Sequence, residues 1–306
     1  MRILVTGGAG FIGSQIARAY VEAGHDVTVL DDLSSGHREN VHENARFVQA
    51  DIRSAEAAEV VRDVKPEVIN HHAAQMNVRV SVDDPRFDAD VNVLGLINLI
   101  EEGRKAGTRK VIFASSGGTV YGEPEDLPAD EAYPTHPVCP YGVSKLTGEH
   151  YLYYYNRIHG LDYVALRYAN VYGPFQDPHG EAGVIAIFCQ ALLRGDDVTI
   201  FGDGLQTRDY VFVGDVVRAN VACLDTEYCG SVNIGTSIET NVNELYDHVK
   251  GHAGGDGKDI HGPAKDGEVR RSALDASFAG KVLGWSPEVT LADGLAATVD
   301  FFRSRS

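Results

Sequence analysis

The stretch Thr6-Gly7-Gly8-Ala9-Gly10-Phe11-Ile12-Gly13 follows a short apolar run at residues 3–6 and opens a helical pattern over 11–23. Glycines at Gly7, Gly10 and Gly13 let a backbone turn tightly, approach a diphosphate and pack helix on strand. The helix then begins with unpaired N–H groups aimed at the ligand, where its dipole favours negative charge. Asp31 closes the second apolar run, 27–30, and stands 18 residues past Gly13, the place of an acid that binds the adenosine ribose. Asp32 is its alternative or its partner. An acid here, rather than Arg, selects NAD over NADP. A glycine turn without a ligand is the plain alternative, but strand, turn, helix and acid stand in the required order.

The same rhythm continues. Strand patterns fit 47–50, 68–70, 111–115 and 163–167, and helical patterns fit 55–63, 86–106 and 141–159. Strands alternating with helices imply a parallel sheet with right-handed crossovers, hence an α/β chain of Rossmann type, doubly wound. Past Gly173 the rhythm breaks at a loop carrying Pro174, Pro178, Gly180 and Gly183. We expect residues 1–172 to form the dinucleotide-binding domain. Residues 173–306 are expected to form mainly a smaller mixed lobe over the strand ends, with some segments returning to the first domain. The run 254–258 reads as a mobile loop.

Composition narrows the partners. Lys and Arg number 27 against 44 Asp and Glu, a net charge of −17 that repels phosphate backbones and argues against nucleic acid. The longest nearly apolar run, 184–193, is too short for a bilayer, and residues 1–4 lead straight into the glycine motif, so we expect no secretory signal. Cys139, Cys189, Cys223 and Cys229 form no CxxC pair and have no His at ligand spacing. We therefore expect no metal, no disulfides and a reduced, cytoplasmic setting.

Tyr141-Gly-Val-Ser-Lys145 carries the chemistry. Positions i and i+4 share a helix face, so the Lys145 ammonium sits beside the Tyr141 phenol. A phenol ionises near pH 10, too high for a general base at neutral pH, and neighbouring cations bring it down. Ser115 and Ser116 end the strand at 111–115, where a hydroxyl can polarise the oxygen that Tyr141 deprotonates. Asp51, with Ile52, follows the third strand: it reaches the adenine amino group or caps the next helix. Asn92, in the pattern over 86–106, faces the cofactor or solvent.

At these residues the chain resembles the extended short-chain dehydrogenase/reductases, within them the UDP-glucose 4-epimerase group. The matching stretches are TGGAGFIGS, DDLSSG from Asp31, HHAAQ from His71, SSGGTVYGE from Ser115, PYGVSK from Pro140, RYANVYGP from Arg167 and GDGLQTRDYVFVGDV from Gly202. NIGT from Asn233 and GEVRRSALDASFAGKVLGW from Gly267 complete the order.

The resemblance implies that NAD takes a hydride from the sugar while the YxxxK tyrosine removes the 4-hydroxyl proton. The 4-keto sugar then turns over, and hydride returns to its other face. Tyr141 is thereby the base, Lys145 its electrostatic partner and Ser116 the helping hydroxyl, with Ser115 in reserve because Gly117 stands where many epimerases have Ser or Thr. The resemblance adds Phe11, Ile12, Ser35, Gly36, Ile52, Ala73, Ala74, Ser115 and Tyr168 to the NAD contacts. It gives the UDP-sugar to Ser116, Asn170, Val184, and the diphosphate clamps Arg208 and Arg270. Lys265 stands where the group often has Arg, and Ser272 where some members carry a bulky Tyr beside the hexose, so an N-acetyl group is a candidate. The family commonly pairs the helices at 86–106 and 141–159 into a dimer, and apolar residues on several of their faces (Leu94, Leu99, Tyr151, Tyr154) agree with a homodimer.

Sister activities fit less well. Dehydratases need an acid–base pair just before VYG, and here Gly118-Thr119 carries no carboxylate. A UDP-glucuronate 4-epimerase, using Arg79 or Lys265 as the extra cation, is the runner-up. A regulator that binds NAD without catalysis has no need of Tyr141, Lys145 and a strand-end serine together.

Overall fold

In the computed structural model, which describes residues 1–178, 183–264 and 269–305, apolar strands alternate with amphipathic helices from the first residue. The first half runs β1 (Arg2–Thr6), α1 (Phe11–Glu22), β2 (Asp26–Asp31), β3 (Arg46–Gln49), α2 (Ala55–Val64) and β4 (Val68–His71). Three short-to-medium helices follow: α3 (Val78–Asp83), α4 (Pro85–Ala89) and α5 (Gly95–Ala106). Next come β5 (Lys110–Ser116), α6 (Gly117–Val120), α7 (Pro140–His159) and β6 (Asp162–Tyr168). The second half contributes β7 (Asn170–Tyr172), α8 (Val184–Arg194), β8 (Val198–Phe201), β9 (Thr207–Arg208), β10 (Tyr210–Phe212), α9 (Val213–Ala222) and β11 (Gly230–Ile234). The chain closes with β12 (Thr240–Asn241), α10 (Val242–Ala253), β13 (Asp259–Gly262), α11 (Ser277–Leu283) and α12 (Leu291–Arg303).

Seven strands form one parallel sheet in the order β11-β6-β5-β4-β1-β2-β3. The order reverses between β1 and β4, the switch point at which doubly wound sheets bind their ligands. Side chains alternate across the strands. Ile3, Val5, Val68 and Ile112 pack toward α1, α9 and α11, whereas Leu4, Ile69, Val111 and Phe113 pack toward α2, α5 and α7. Helices thus cover both faces, which is why the strands read as continuous apolar runs. A separate core joins α8, α10 and α12 around Phe188, Leu245 and Leu295 over the strand ends. From the second half, α9 and β11 return to the first layer, β11 pairing with β6.

One expected helix is interrupted. Between α4 and α5 the backbone widens to π geometry over Asp90–Leu94. The widened turn carries Asn92, whose amide donates to Gln75 O at 2.8 Å and Ser144 Oγ at 3.1 Å, and Asp90, which pairs with Arg53 at 2.7 Å. Side-chain bonding of this kind opens a helical ladder, and such π-bulges recur at functional sites. The two short helices α3 and α6 are additions that hydrophobic periodicity is too brief to reveal. The run 254–258 is loop between α10 and β13. Gly180, Lys265 and Gly267 lie outside the described residues.

Candidate active site

The glycine turn is built for close approach. Gly7 takes φ +67°, and a Cβ there would sit 2.6 Å from Ala73 N. A Cβ on Gly13 would lie 2.2 Å from Gly7 O, so only hydrogen fits. The turn delivers α1 with Gly10 as its N-cap and no side-chain cap, leaving its first N–H groups to the cleft.

A cavity of about 430 Å³ opens above this turn, lined by Gly7, Gly10, Phe11, Ile12, Gly13, Asp31, Asp32, Ser35, Asp51, Ile52, Ala73, Ala74, Ser115, Tyr141, Lys145 and Tyr168. These are the expected cofactor residues save two. Gly36 is set behind Asp31, where a Cβ would meet Asp31 Oδ1 at 2.9 Å. Asn92 is 3 % exposed and faces neither cofactor nor solvent: its Oδ1 accepts from Gln75 N at 2.8 Å, and its Nδ2 bonds Gln75, Asp88 and Ser144. It holds the loop after β4 from behind, because a buried amide must satisfy every donor and acceptor.

Asp31 is buried and accepts from Ala9 N at 3.0 Å and Leu33 N at 2.8 Å. Burial pushes its carboxyl up, against the pull of those N–H groups. Asp32 instead holds Ser34 through N–H and hydroxyl, at 2.9 and 2.6 Å. Asp51 lines the cavity but does not cap α2, a task done by Ser54 toward Ala57 N at 3.0 Å; its carboxylate is gripped by Arg53, which holds it below its ordinary range.

At the inner end stand two histidines. Burial holds both His71 and His72 down to about 3, so both are neutral at physiological pH. Tyr168 Oη accepts from Asn220 Nδ2 at 2.8 Å, which leaves its own proton for His72 Nε2 at 3.0 Å. The neutral ring then carries its proton on Nδ1, and that buried donor has no partner among the described residues. An orphaned donor beside a cradle that excludes any Cβ, facing an acid at a strand end, fits a dinucleotide.

Tyr141 sits at a junction. With Phe11, Ile12, Met76, Ser115 and Tyr168 it lines both this cavity and a second one of about 680 Å³. Lys145 is 3 % exposed, donates to Ala114 O at 2.8 Å and lies 5.7 Å from the centre of the Tyr141 ring. Burial pushes its ammonium down to about 8. The two serines diverge. Ser115 Oγ donates to buried Glu149 Oε1 at 2.5 Å. Ser116 lines the second cavity, and its hydroxyl bonds no side chain or backbone among the described residues.

The second cavity holds Asn170, Val184 and Arg208 as expected, with Gln176, Gln206, Phe201 and Tyr210 besides. Gln206 and Tyr210 lie in the GDGLQTRDY stretch beside Arg208, whereas Gln176 and Phe201 carry no motif and read in the sequence as ordinary loop and strand residues. Arg208 is the one Arg or Lys lining it among the described residues. Arg270 stands apart in a bidentate pair with Asp203, 2.8 Å on each arm, both residues more than half exposed. Ser272 is buried outside the lining, and Arg79 is exposed on α3, away from both cavities.

A third, open groove of about 1220 Å³ runs along the outside of α4 and α7, lined by Phe87, Leu94, Val138 and Val143 among others.

Comparison with known proteins agrees with this geometry. The family model for the NAD dependent epimerase/dehydratase family matches residues 3–235. A UDP-glucose 4-epimerase of Mycolicibacterium smegmatis is 51% identical over 312 residues, covering 100% of both chains. The crystal structure of a Thermotoga maritima UDP-glucose 4-epimerase with UDP-glucose superposes with a TM-score of 0.97 at 46% identity, over 100% of this chain and 99% of that one. A Thermus thermophilus UDP-glucose 4-epimerase in complex with NAD gives 0.95 at 44% identity, over 100% of each.

Proposed function

The chain belongs to the NAD-dependent epimerase/dehydratase family, and from that premise we propose that it is a UDP-hexose 4-epimerase in which Tyr141, Lys145 and Ser116 act on the sugar 4-hydroxyl. It interconverts UDP-glucose and UDP-galactose through a transient 4-keto sugar. NAD is its cofactor, and bound NAD supplies the acceptor, then the donor, of hydride. The observation that supports the residue roles is that Tyr141 lines both cavities, with Lys145 in the lining of the first and Ser116 in that of the second.

Each residue has a task its surroundings suit. The glycine turn and the α1 N-terminus hold the diphosphate of the dinucleotide, and Asp31 its ribose. Tyr141 takes the 4-hydroxyl proton and gives it back to the keto oxygen after the sugar has turned. Lys145, desolvated and one helical turn away, favours the phenolate that this exchange needs. Ser116 donates to the same oxygen, which matters most as charge develops there. Arg208 meets the substrate diphosphate as a planar, bidentate cation, and Asn170 and Val184 complete the wall. Cofactor and catalysis thus fall mainly to residues 1–172 and the nucleotide sugar mainly to 173–306.

The exposed apolar groove on α4 and α7 supports a homodimer, and four free cysteines support a reducing, cytoplasmic setting. Ser272 lies outside the lining of the substrate cavity, so its small side chain makes no room there for an N-acetyl group.

Proton NMR of the purified protein with UDP-galactose, without added NAD, tests the reading, with UDP-N-acetylgalactosamine and UDP-glucuronate in parallel. We expect UDP-glucose from UDP-galactose. Conversion of UDP-glucuronate alone would replace this reading with the uronate one.

A further inference from the structure

Helix α7 carries a third functional group on the face that holds Tyr141 and Lys145. Glu149 follows Lys145 by one turn, is 5 % exposed, and meets Arg167 of β6 through a two-armed ion pair with arms of 2.6 and 3.0 Å. Its carboxylate also accepts two hydroxyl hydrogen bonds, from Ser115 Oγ at 2.5 Å and Ser231 Oγ at 2.8 Å. Every acceptor position of the carboxylate is used, as a buried charge requires.

The consequence lies on β5. Three successive residues at its end are each assigned: Ala114 gives its carbonyl to Lys145, Ser115 gives its hydroxyl to Glu149, and Ser116 keeps its hydroxyl for the substrate cavity. Successive side chains of a strand point to opposite faces, so fixing Ser115 fixes where Ser116 projects. We propose that the Ser115–Glu149–Arg167 cluster is a positioning device that holds the Ser116 hydroxyl in the substrate cavity that Tyr141 also lines, with Glu149 as a positioning residue that acts through β5. The proposal rests on the 4-epimerase reading for its substrate and on the geometry of β5 and α7 for its substance.

Ser231 supplies the control. Ser115→Ala and Ser231→Ala each remove one hydroxyl from the same carboxylate, but Ser231 lies on β11 and lines neither cavity. With NAD-loaded protein and UDP-galactose we expect Ser115→Ala to lower kcat by roughly tenfold or more, since small misplacements of a catalytic group have such costs. Ser231→Ala should keep kcat, and Ser116→Ala should lower it at least as far as Ser115→Ala does. A crystal structure of Ser115→Ala should show Ser116 Oγ displaced from Tyr141. Equal loss of thermal stability in both variants with kcat intact would overturn the proposal. So would an inert Ser116→Ala beside an inactive Ser115→Ala, which would make Ser115 the substrate hydroxyl. Wild-type protein that converts no UDP-hexose would sink the epimerase reading instead, and an unmoved Ser116 in the variant crystal would then overturn the positioning role by itself.

Discussion

The Lys145 ammonium lies 5.7 Å from the centre of the Tyr141 ring while its hydrogen bond goes to Ala114 O, at 2.8 Å. The cation is therefore pinned to the strand and acts on the phenol through the field of a dry site, where charge carries further than in water.

Tyr141→Phe removes the proton acceptor and keeps the ring. Turnover of UDP-galactose should fall by between about 10²- and 10⁴-fold, the span of general acid–base catalysis. Bound NAD, read from the absorbance of the denatured supernatant, should stay at the wild-type level. An active Phe variant would remove Tyr141 from the mechanism.

The lowered Lys145 value sets two pH dependences. Unfolded, the group titrates near 10.5, and folded near 8, so the unfolded chain holds one more proton between those values and stability rises with pH across that window. Below about 8 the buried ammonium costs about 3 kcal/mol. Urea unfolding of wild type and Lys145→Met should show a gap favouring the variant at pH 7 and narrowing toward pH 10. Activity has the opposite sign: kcat should decline above pH about 8 as the cation is lost, and Lys145→Arg, which keeps its charge, should lack that alkaline limb.

How much of this was legible in the sequence follows from the range of each signal. Glycine spacing, the acid at Asp31 and the Tyr141/Lys145 pair are local, and the structure brings them together as expected. The interruption at Asp90–Leu94 was not legible, because it depends on Asn92 bonding Gln75 and Ser144, 17 and 52 residues away. Arg270 sits in a motif that implied a diphosphate clamp, yet its guanidinium is held by Asp203, 67 residues earlier. The bond from Ser115 to Glu149 was likewise not legible, because Glu149 looks in the sequence like any acid on an exposed helix.

Gly117 tests the departure from the family pattern. A Cβ there would stand 2.4 Å from Leu274 Cδ1 and 3.2 Å from Arg167 O. Gly117→Ser should cost about 1–3 kcal/mol by overpacking and leave activity no higher. Adding Leu274→Ala should recover part of that loss in a thermal melt, relative to Leu274→Ala alone. Additive effects would mean that the two residues do not meet.

Asp31→Asn should weaken NAD binding by about 1–3 kcal/mol, the cost of exchanging a charged acceptor for a neutral one. Because the carboxylate also repels a 2′-phosphate, affinity for NADP should rise at the same time. Titration of both dinucleotides into apoprotein measures the ratio, and an unchanged ratio would move the ribose to Asp32.

The proposed homodimer is tested at an exposed position of the groove. Leu94 is 57 % exposed, Val138 66 % and Val143 49 %, so the groove on α4 and α7 leaves three large apolar side chains uncovered. A two-fold axis beside it would lay the same face of a second copy across the groove, burying both at once. Sedimentation at micromolar concentration should give twice 33.1 kDa for the wild type. Leu94→Asp should give 33.1 kDa with an unaltered fold, since a charge at an exposed site changes subunit stability by only about 0.5 kcal/mol. A wild type that sediments at the single-chain mass would leave the groove without the partner proposed for it.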